Sequence, residues 1–314
     1  VAVFTEVNQA EAAAFLAAYG FGAPDAMTGI PQGTENTNYK LLVGGRRFIL
    51  TLYEARVEKS DLPYFLGLME RLADAGLPVA RPLRSKDGST LGEIGGKPAA
   101  LIEFLRGKPE MSPSPEDARR AGAALAQLHR AAEPLDLHRP NNMGPASWHD
   151  MTDAAGDKLD GFADGLHGEV ARTLSLLDRQ WPDDLPMGPI HADLFPDNLL
   201  LDHGEVSGII DFYFACTDFF AYDLAVAMNA YTPETGLEVE NANAEALLEG
   251  YESVRPLTGA EREKLPVLLC GSALRFFLTR AVDQIFAQAG ALYVPKDPLP
   301  WLRLLRYHRA RIEG

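Results

Sequence analysis

Between Gly188 and Ala225 the chain reads GPIHADLFPDNLLLDHGEVSGIIDFYFACTDFFAYDLA, which sets His191, Asp193, Asp197, Asn198, Asp202, Asp211, Asp218 and Asp223 among strongly apolar runs. A carboxylate is not taken out of water without a hydrogen-bonding, cationic or metal partner, so acids in a hydrophobic frame point to chemistry. The runs NLLL and VSGIIDF flank His203-Gly204 and read as a β-hairpin. Asn198 begins one strand and Asp211 ends the other, so the turn brings both chain points together. Asp193 and Asn198 lie at the two ends of one compact loop. Hard oxygen donors of this kind suit Mg2+, which keeps several waters and is completed by substrate phosphates. A carboxylate left off the metal can accept a proton. The pattern therefore assigns Asn198 and Asp211 to the metal and Asp193 to the base. His191 is expected to organise the loop backbone rather than to carry protons. Asp197 reads as a turn cap, Asp223 as a helix cap or a brace for the loop, and Asp218 as a carboxylate placed to receive a substrate ammonium.

These groups need a frame. Asn8, with Glu11 three residues on, opens a short helix that stops at Gly20. NTNYKLLV, the pair Gly44-Gly45 and RRFILTLYE predict strands at 37–43 and 47–54. Leu62, Phe65, Leu66, Met69 and Leu72 recur at helical spacing across 60–75, and Gly76 and Pro78 end the run. Strands return between Arg81 and Phe104. After ALIEFLRGKP the texture turns helical, over 115–131, 153–180, 242–253 and 259–289, while the acidic stretch 233–240 reads as a solvated loop. This divides the chain into residues 1–104 and 105–314.

A chain of 314 residues, 46% apolar and 23% charged, exceeds the size at which one core usually stops growing, so two lobes are expected. A formal charge of −15 makes nucleic acid and anionic membrane poor partners, and an anionic ligand would need a local cationic or metal-loaded pocket. Cys216 and Cys270 stand in apolar surroundings without metal-ligand spacing, as reduced core thiols of a cytoplasmic protein would. No basic leader opens the sequence and no apolar run approaches bilayer length, so a soluble intracellular protein is expected. Nothing in the sequence specifies an oligomeric state.

H-x-D, four residues, Asn, a hairpin and Asp-Phe resemble the catalytic loop and metal-binding segment of the protein-kinase-like superfamily. HADLFPDN has Ala192 after the histidine and Tyr213 after Asp-Phe, and is similar to the aminoglycoside phosphotransferase and choline kinase branch rather than to protein kinases. GTENTNYKL, FILTLYE, GLPVARPL and IDFYFACTDFFAYDLA together resemble the homoserine kinases of that branch. The resemblance implies an α+β, protein-kinase-like two-lobed fold, with a small antiparallel N-lobe sheet carrying one helix and a mostly helical C-lobe. It implies ATP and Mg2+ as cofactors and transfer of phosphate to the side-chain hydroxyl of L-homoserine, a small-molecule partner, on the route to threonine. GTENTNY is no P-loop, but Gly33, Thr34, Asn36 and Asn38 are placed to cover phosphates. Backbone groups from Glu103 to Leu105, in the connection between lobes, are expected to hold adenine. In one respect the chain departs from the family pattern: the third strand carries Thr51 where such kinases have Lys or Arg. Arg47 or Lys40 could supply that charge, and Glu70 is the helix glutamate left to pair with it. Arg275 and Arg280, in SALRFFLTRAVDQ, are candidates for a substrate carboxylate. Choline, ethanolamine or aminoglycoside kinases remain alternatives, as does a nucleotide-binding pseudokinase, which Thr51 favours and the intact Asp193, Asn198 and Asp211 oppose.

Overall fold

In a computed structural model, residues 5–31, 36–54, 57–232, 242–287 and 295–313 are described. The first helix, α1 (Gln9–Ala17), has the expected capping box: the Asn8 side chain accepts from the Glu11 amide, and the Glu11 carboxylate accepts from the Asn8 amide. Strands β1 (Ala26–Gly29), β2 (Asn36–Val43), β3 (Arg46–Tyr53), β4 (Gly92–Ile94) and β5 (Lys97–Glu103) form one antiparallel sheet in the order β1-β2-β3-β5-β4. Gly44 and Gly45 turn β2 into β3 at φ 55° and 78°, a conformation that favours glycine.

Alternation along β2 and β3 separates two faces. Tyr39, Leu41, Phe48, Leu50 and Leu52 close a small core with Phe15 and Leu16 of α1. On the other face Tyr53, Ala100 and Ile102 join α2 (Leu62–Asp74) in a core continuous with the rest of the chain. Ile209 pairs with Val79, Asp61 bonds Arg139 at 2.7 Å, and the Tyr53 and Tyr213 hydroxyls lie 3.3 Å apart, tying the sheet and its helix to the second lobe.

The second lobe runs β6 (Lys108–Pro109), α3 (Pro115–Ala132), α4 (Pro145–Ala155), α5 (Leu166–Gln180), β7 (Met187–Ile190), β8 (Leu199–Asp202), β9 (Glu205–Ile209), β10 (Cys216–Phe219), α6 (Phe220–Ala230), α7 (Ala242–Val254), α8 (Gly259–Ile285) and α9 (Leu299–Ile312). β8 and β9 form the predicted hairpin, with β6 beside β8, and β7 pairs with β10. The helix expected over 153–180 is two: Gly156 at φ 50° and Gly165 at φ 69° interrupt it. The helix expected over 259–289 ends at Ile285. The 233–240 stretch lies outside the described residues.

At 27 residues α8 does reach bilayer length and apolarity, against the expectation from sequence; it is largely buried and packs between α4, α6 and α9 as a core helix. α3 and α7 cross at very close range. A Cβ at Gly122 would lie 1.9 Å from the Leu247 carbonyl oxygen, and one at Gly250 1.9 Å from that of Arg119.

Candidate active site

Asp223 is the hub. It lies in the first turn of α6, fully buried, and its two carboxylate oxygens accept the amides of His191 at 2.8 Å and Ala192 at 2.7 Å. His129 of α3 approaches the same carboxylate through Nε2 at 2.9 Å, and its Nδ1 lies 2.8 Å from the Tyr251 hydroxyl of α7. Burial alone would raise the Asp223 carboxyl, but the His129 bond, the neighbouring imidazoles and the loop amide outweigh it and hold it below the usual carboxylate range. Burial in turn keeps His129 neutral. The ionised carboxylate can only accept, so His129 donates to it from Nε2 and Tyr251 donates to Nδ1. Arg255 completes the chain, donating to the Tyr251 hydroxyl at 3.2 Å and to buried Glu261 at 2.9 Å.

What this chain of bonds holds is the loop from His191 to Asn198. His191 is fully buried against Phe212 and kept neutral by that burial; Nε2 donates to the Ile210 carbonyl at 3.0 Å, while Nδ1 accepts the Asp193 amide at 3.2 Å. Both ring nitrogens are thus committed to backbone. Ala192 sits at φ 62° and Asp211 at φ 65°, left-handed conformations that non-glycine residues adopt at a cost of about 1–3 kcal/mol and that cluster at functional sites.

Three carboxylates gather beside this loop. Asn198 donates its Nδ2 to the Asp193 carbonyl at 2.8 Å and to the Asp193 carboxylate at 3.2 Å, which leaves its Oδ1 to serve a ligand. Burial and the Asp211 charge push the Asp193 carboxyl well up, with Arg275 and Lys296 acting the other way. The Asp211 side chain opens to solvent, yet the protein packed behind it and the Asp197 charge push it up to about 6. An excess of negative charge with one amide oxygen beside it suits a hard divalent cation. Among the described residues no three His, Cys, Asp or Glu side chains form a cage. Mg2+ ordinarily takes one or two carboxylates and leaves the rest of its shell to water and phosphate.

The first-lobe candidates fall in different places. Gly33 and Thr34 lie outside the described residues. Asn38 accepts the Thr51 hydroxyl at 2.7 Å and Asn36 accepts the Glu54 amide at 3.4 Å, so the strand position that carries a cation in the resembled kinases holds a neutral pair, with Thr51 buried and Asn38 half-buried. Lys40 and Arg47 lie over the Phe104 ring, at 4.9 and 5.7 Å, beside the connection between lobes. Arg47 is four residues along β3 from Thr51, about 13 Å at the usual rise. Glu70 is engaged by Arg84 at 2.5 and 2.6 Å rather than by Lys40 or Arg47. The Glu103 amide bonds the Arg81 carbonyl at 2.9 Å, and Leu105 packs on Gly208 of the hairpin.

In the second lobe, Asp218 accepts the Asn141 amide nitrogen at 2.7 Å. Arg275, only 2% exposed, donates to the Ala192 carbonyl at 2.7 Å and stacks on Phe276, so it lies directly beneath the loop that carries Asp193. Arg280 bonds the Asp297 carbonyl at 3.1 Å. A cleft of about 510 Å³ beside the loop is lined by Phe195, Asp197, Tyr231, Arg280, Lys296 and Trp301. Sequence reasoning missed His129, Tyr251 and Lys296. His129 and Tyr251 carry no local signal, since each looks like an ordinary position on an alanine-rich helix. Lys296, in YVPKDP, has no motif around it.

A two-lobed fold with a carboxylate-rich loop, an asparagine and a left-handed Asp before Phe defines a kinase-like phosphotransferase. The chain belongs to the phosphotransferase enzyme family, whose profile matches residues 26–257. Curated relatives match it end to end. It is 48% identical over 309 residues to the homoserine kinase of Chelativorans sp. (strain BNC1), covering 98% of this chain and 96% of that one. It is 47% identical over 310 residues to the homoserine kinase of Xanthobacter autotrophicus (strain ATCC BAA-1158 / Py2), covering 99% and 97%. Among solved structures, the amicoumacin kinase hAmiN in complex with AMP-PNP, Ca2+ and Ami superposes with a TM-score of 0.70 at 17% identity, covering 96% of this chain and 91% of that one, a likeness of fold.

Proposed function

We propose that the chain transfers the γ-phosphoryl group of ATP to the side-chain hydroxyl of L-homoserine, giving O-phospho-L-homoserine. The observation that carries the substrate is the end-to-end identity of 48% with a curated homoserine kinase. Nucleotide would lie between residues 1–104 and 105–314, with Asn36 and Asn38 toward the phosphates and Glu103 to Leu105 toward adenine. Asn198, through Oδ1, and Asp211 would hold Mg2+, which neutralises phosphate charge and orients the transferred group. Asp193 orients the acceptor hydroxyl and takes its proton as phosphate transfers. Its contact with the Asn198 amide fixes the carboxylate for that task. Catalysis of this kind rests on positioning and charge.

ATP consumption measured against L-homoserine, choline, ethanolamine and kanamycin tests the proposal. L-homoserine should give the highest kcat/KM. A higher value for choline or kanamycin overturns the substrate while leaving a kinase, and no turnover of any alcohol leaves a nucleotide-binding pseudokinase.

A further inference from the structure

Among the described residues, the buried side-chain polar atoms without a hydrogen-bond partner are the Tyr64 hydroxyl, the Tyr222 hydroxyl and Arg275 Nε. A buried donor left unmade is costly, and such atoms are rare enough that each asks for a partner. Two of the three belong together. Tyr222 adjoins Arg275, which acts on its hydroxyl both by charge and as a hydrogen-bonding neighbour, and it feels the Asp218 charge; Asp218 feels Arg275, whereas Tyr64 stands toward Thr217 and Arg139 instead. Arg275 is also a buried cation without an ion-paired carboxylate: its contacts are the Ala192 carbonyl and the Phe214 and Phe276 rings. Asp218, partly buried, accepts from Asn141 and from the Phe219 amide, and a carboxylate has about four acceptor sites. A guanidinium edge and a hydroxyl that lack an anion thus stand next to a carboxylate with room for a cation. That is the complement of an α-amino acid.

Resting on the activity proposed above, we infer that Arg275 Nε and the Tyr222 hydroxyl receive the α-carboxylate of homoserine and that Asp218 receives its α-ammonium. Arg275 would then link recognition to the reaction. One nitrogen of the guanidinium holds the Ala192 carbonyl, one residue before Asp193, while another holds the substrate. The planar fork of arginine suits two simultaneous partners.

Tyr222→Phe removes a hydroxyl that makes no well-formed hydrogen bond in the free protein and has the Arg275 guanidinium as its neighbour, so a purely structural role predicts unchanged kinetics and little change in stability. Three alcohols separate the contacts: L-homoserine, 3-aminopropan-1-ol, which lacks the carboxylate, and 4-hydroxybutanoate, which lacks the ammonium. Each is measured as a substrate and as an inhibitor of homoserine turnover. Tyr222→Phe should weaken homoserine and 4-hydroxybutanoate at least about tenfold, through KM or Ki, with 3-aminopropan-1-ol and the KM for ATP unchanged. Asp218→Asn should weaken homoserine and 3-aminopropan-1-ol and spare 4-hydroxybutanoate. An active wild type whose Tyr222→Phe variant handles all three alcohols like the parent overturns the subsite alone, and the unpaired atoms are then hydrated structural groups. A wild type that ignores homoserine overturns the activity and the subsite with it.

Discussion

Single atoms separate the roles at the site. Asp211→Asn replaces a charged oxygen by a neutral amide at the left-handed position before Phe212, where asparagine is also tolerated. Turnover should nearly vanish while the thermal midpoint stays close to that of the parent. Near-normal kcat in a folded variant titrated with Mg2+ would rule out the metal role. Asp193→Asn keeps the size and part of the hydrogen bonding of the carboxylate. It should lower kcat by roughly 10²–10⁴-fold, the range for a general base, and leave nucleotide affinity near native. Loss of nucleotide binding on titration of the same preparation would assign Asp193 a structural role instead. Asp223→Ala acts differently, because it strands two loop amides and the His129 donor in a dry interior. Breaking such a buried set costs on the order of 3–5 kcal/mol, so urea unfolding should register the change before kinetics do. An unfolding midpoint equal to that of wild type would show the hub to be dispensable for folding.

At the scale of elements, what could be read in the chain was what local chemistry dictates. The Asn8–Glu11 box, the Gly44-Gly45 turn and the hairpin around His203-Gly204 each act over a few residues, and each formed as expected. α6 gave only a partial signal because residues 220–229 are buried on every side, and a helix without a polar face shows no 3.6-residue stripe. The break between α4 and α5 was hidden for the opposite reason: a polar, glycine-containing stretch passes for the exposed face of one long helix. The acidic loop from His191 to Asn198 stood out in the sequence as a candidate site by its spacing, but its support did not, since Asp223 meets a histidine on one helix that meets a tyrosine on another. The close crossing of those two helices can be tested directly. Gly250→Ala drives a methyl into the Arg119 carbonyl oxygen, so α3 and α7 must part. Overpacking of this kind costs about 1–3 kcal/mol, and because His129 and Tyr251 sit on the same two helices, kcat should fall as well. A variant with parental stability and kcat would show that the crossing relaxes without cost.

Across the whole molecule, buried neutral histidines make stability depend on pH. His308 of α9 lies 2.8 Å from the Asn229 side-chain oxygen, and burial pushes its imidazole down to about 4. A histidine whose native pKa lies below its unfolded value of about 6.5 is stabilising above that pH, and the contribution is lost as pH falls toward the native value. Raised carboxyls at the site have the opposite sign, so the measurement must be a difference. Relative to His308→Gln, wild type should lose about 2 kcal/mol between pH 7 and pH 5 in urea unfolding. A difference independent of pH would mean that the imidazole is hydrated or already charged in the native state.

The Asp223 hub also fixes when, during folding, the enzyme becomes an enzyme. Its bond to His129 spans 94 residues of sequence, and the bond from His129 to Tyr251 spans 122. Contacts of such long range close late, after the chain entropy of the intervening loop has been lost. The hairpin that presents Asn198 and Asp211 is local and can form early, but Ala192 has no reason to hold its left-handed turn until α3, α6 and α7 have docked. Refolding from denaturant should therefore show helical circular dichroism returning ahead of catalytic activity, with activity tracking the burial of Tyr251. A nascent chain emerging from the ribosome would carry every side chain proposed for catalysis well before it could use them.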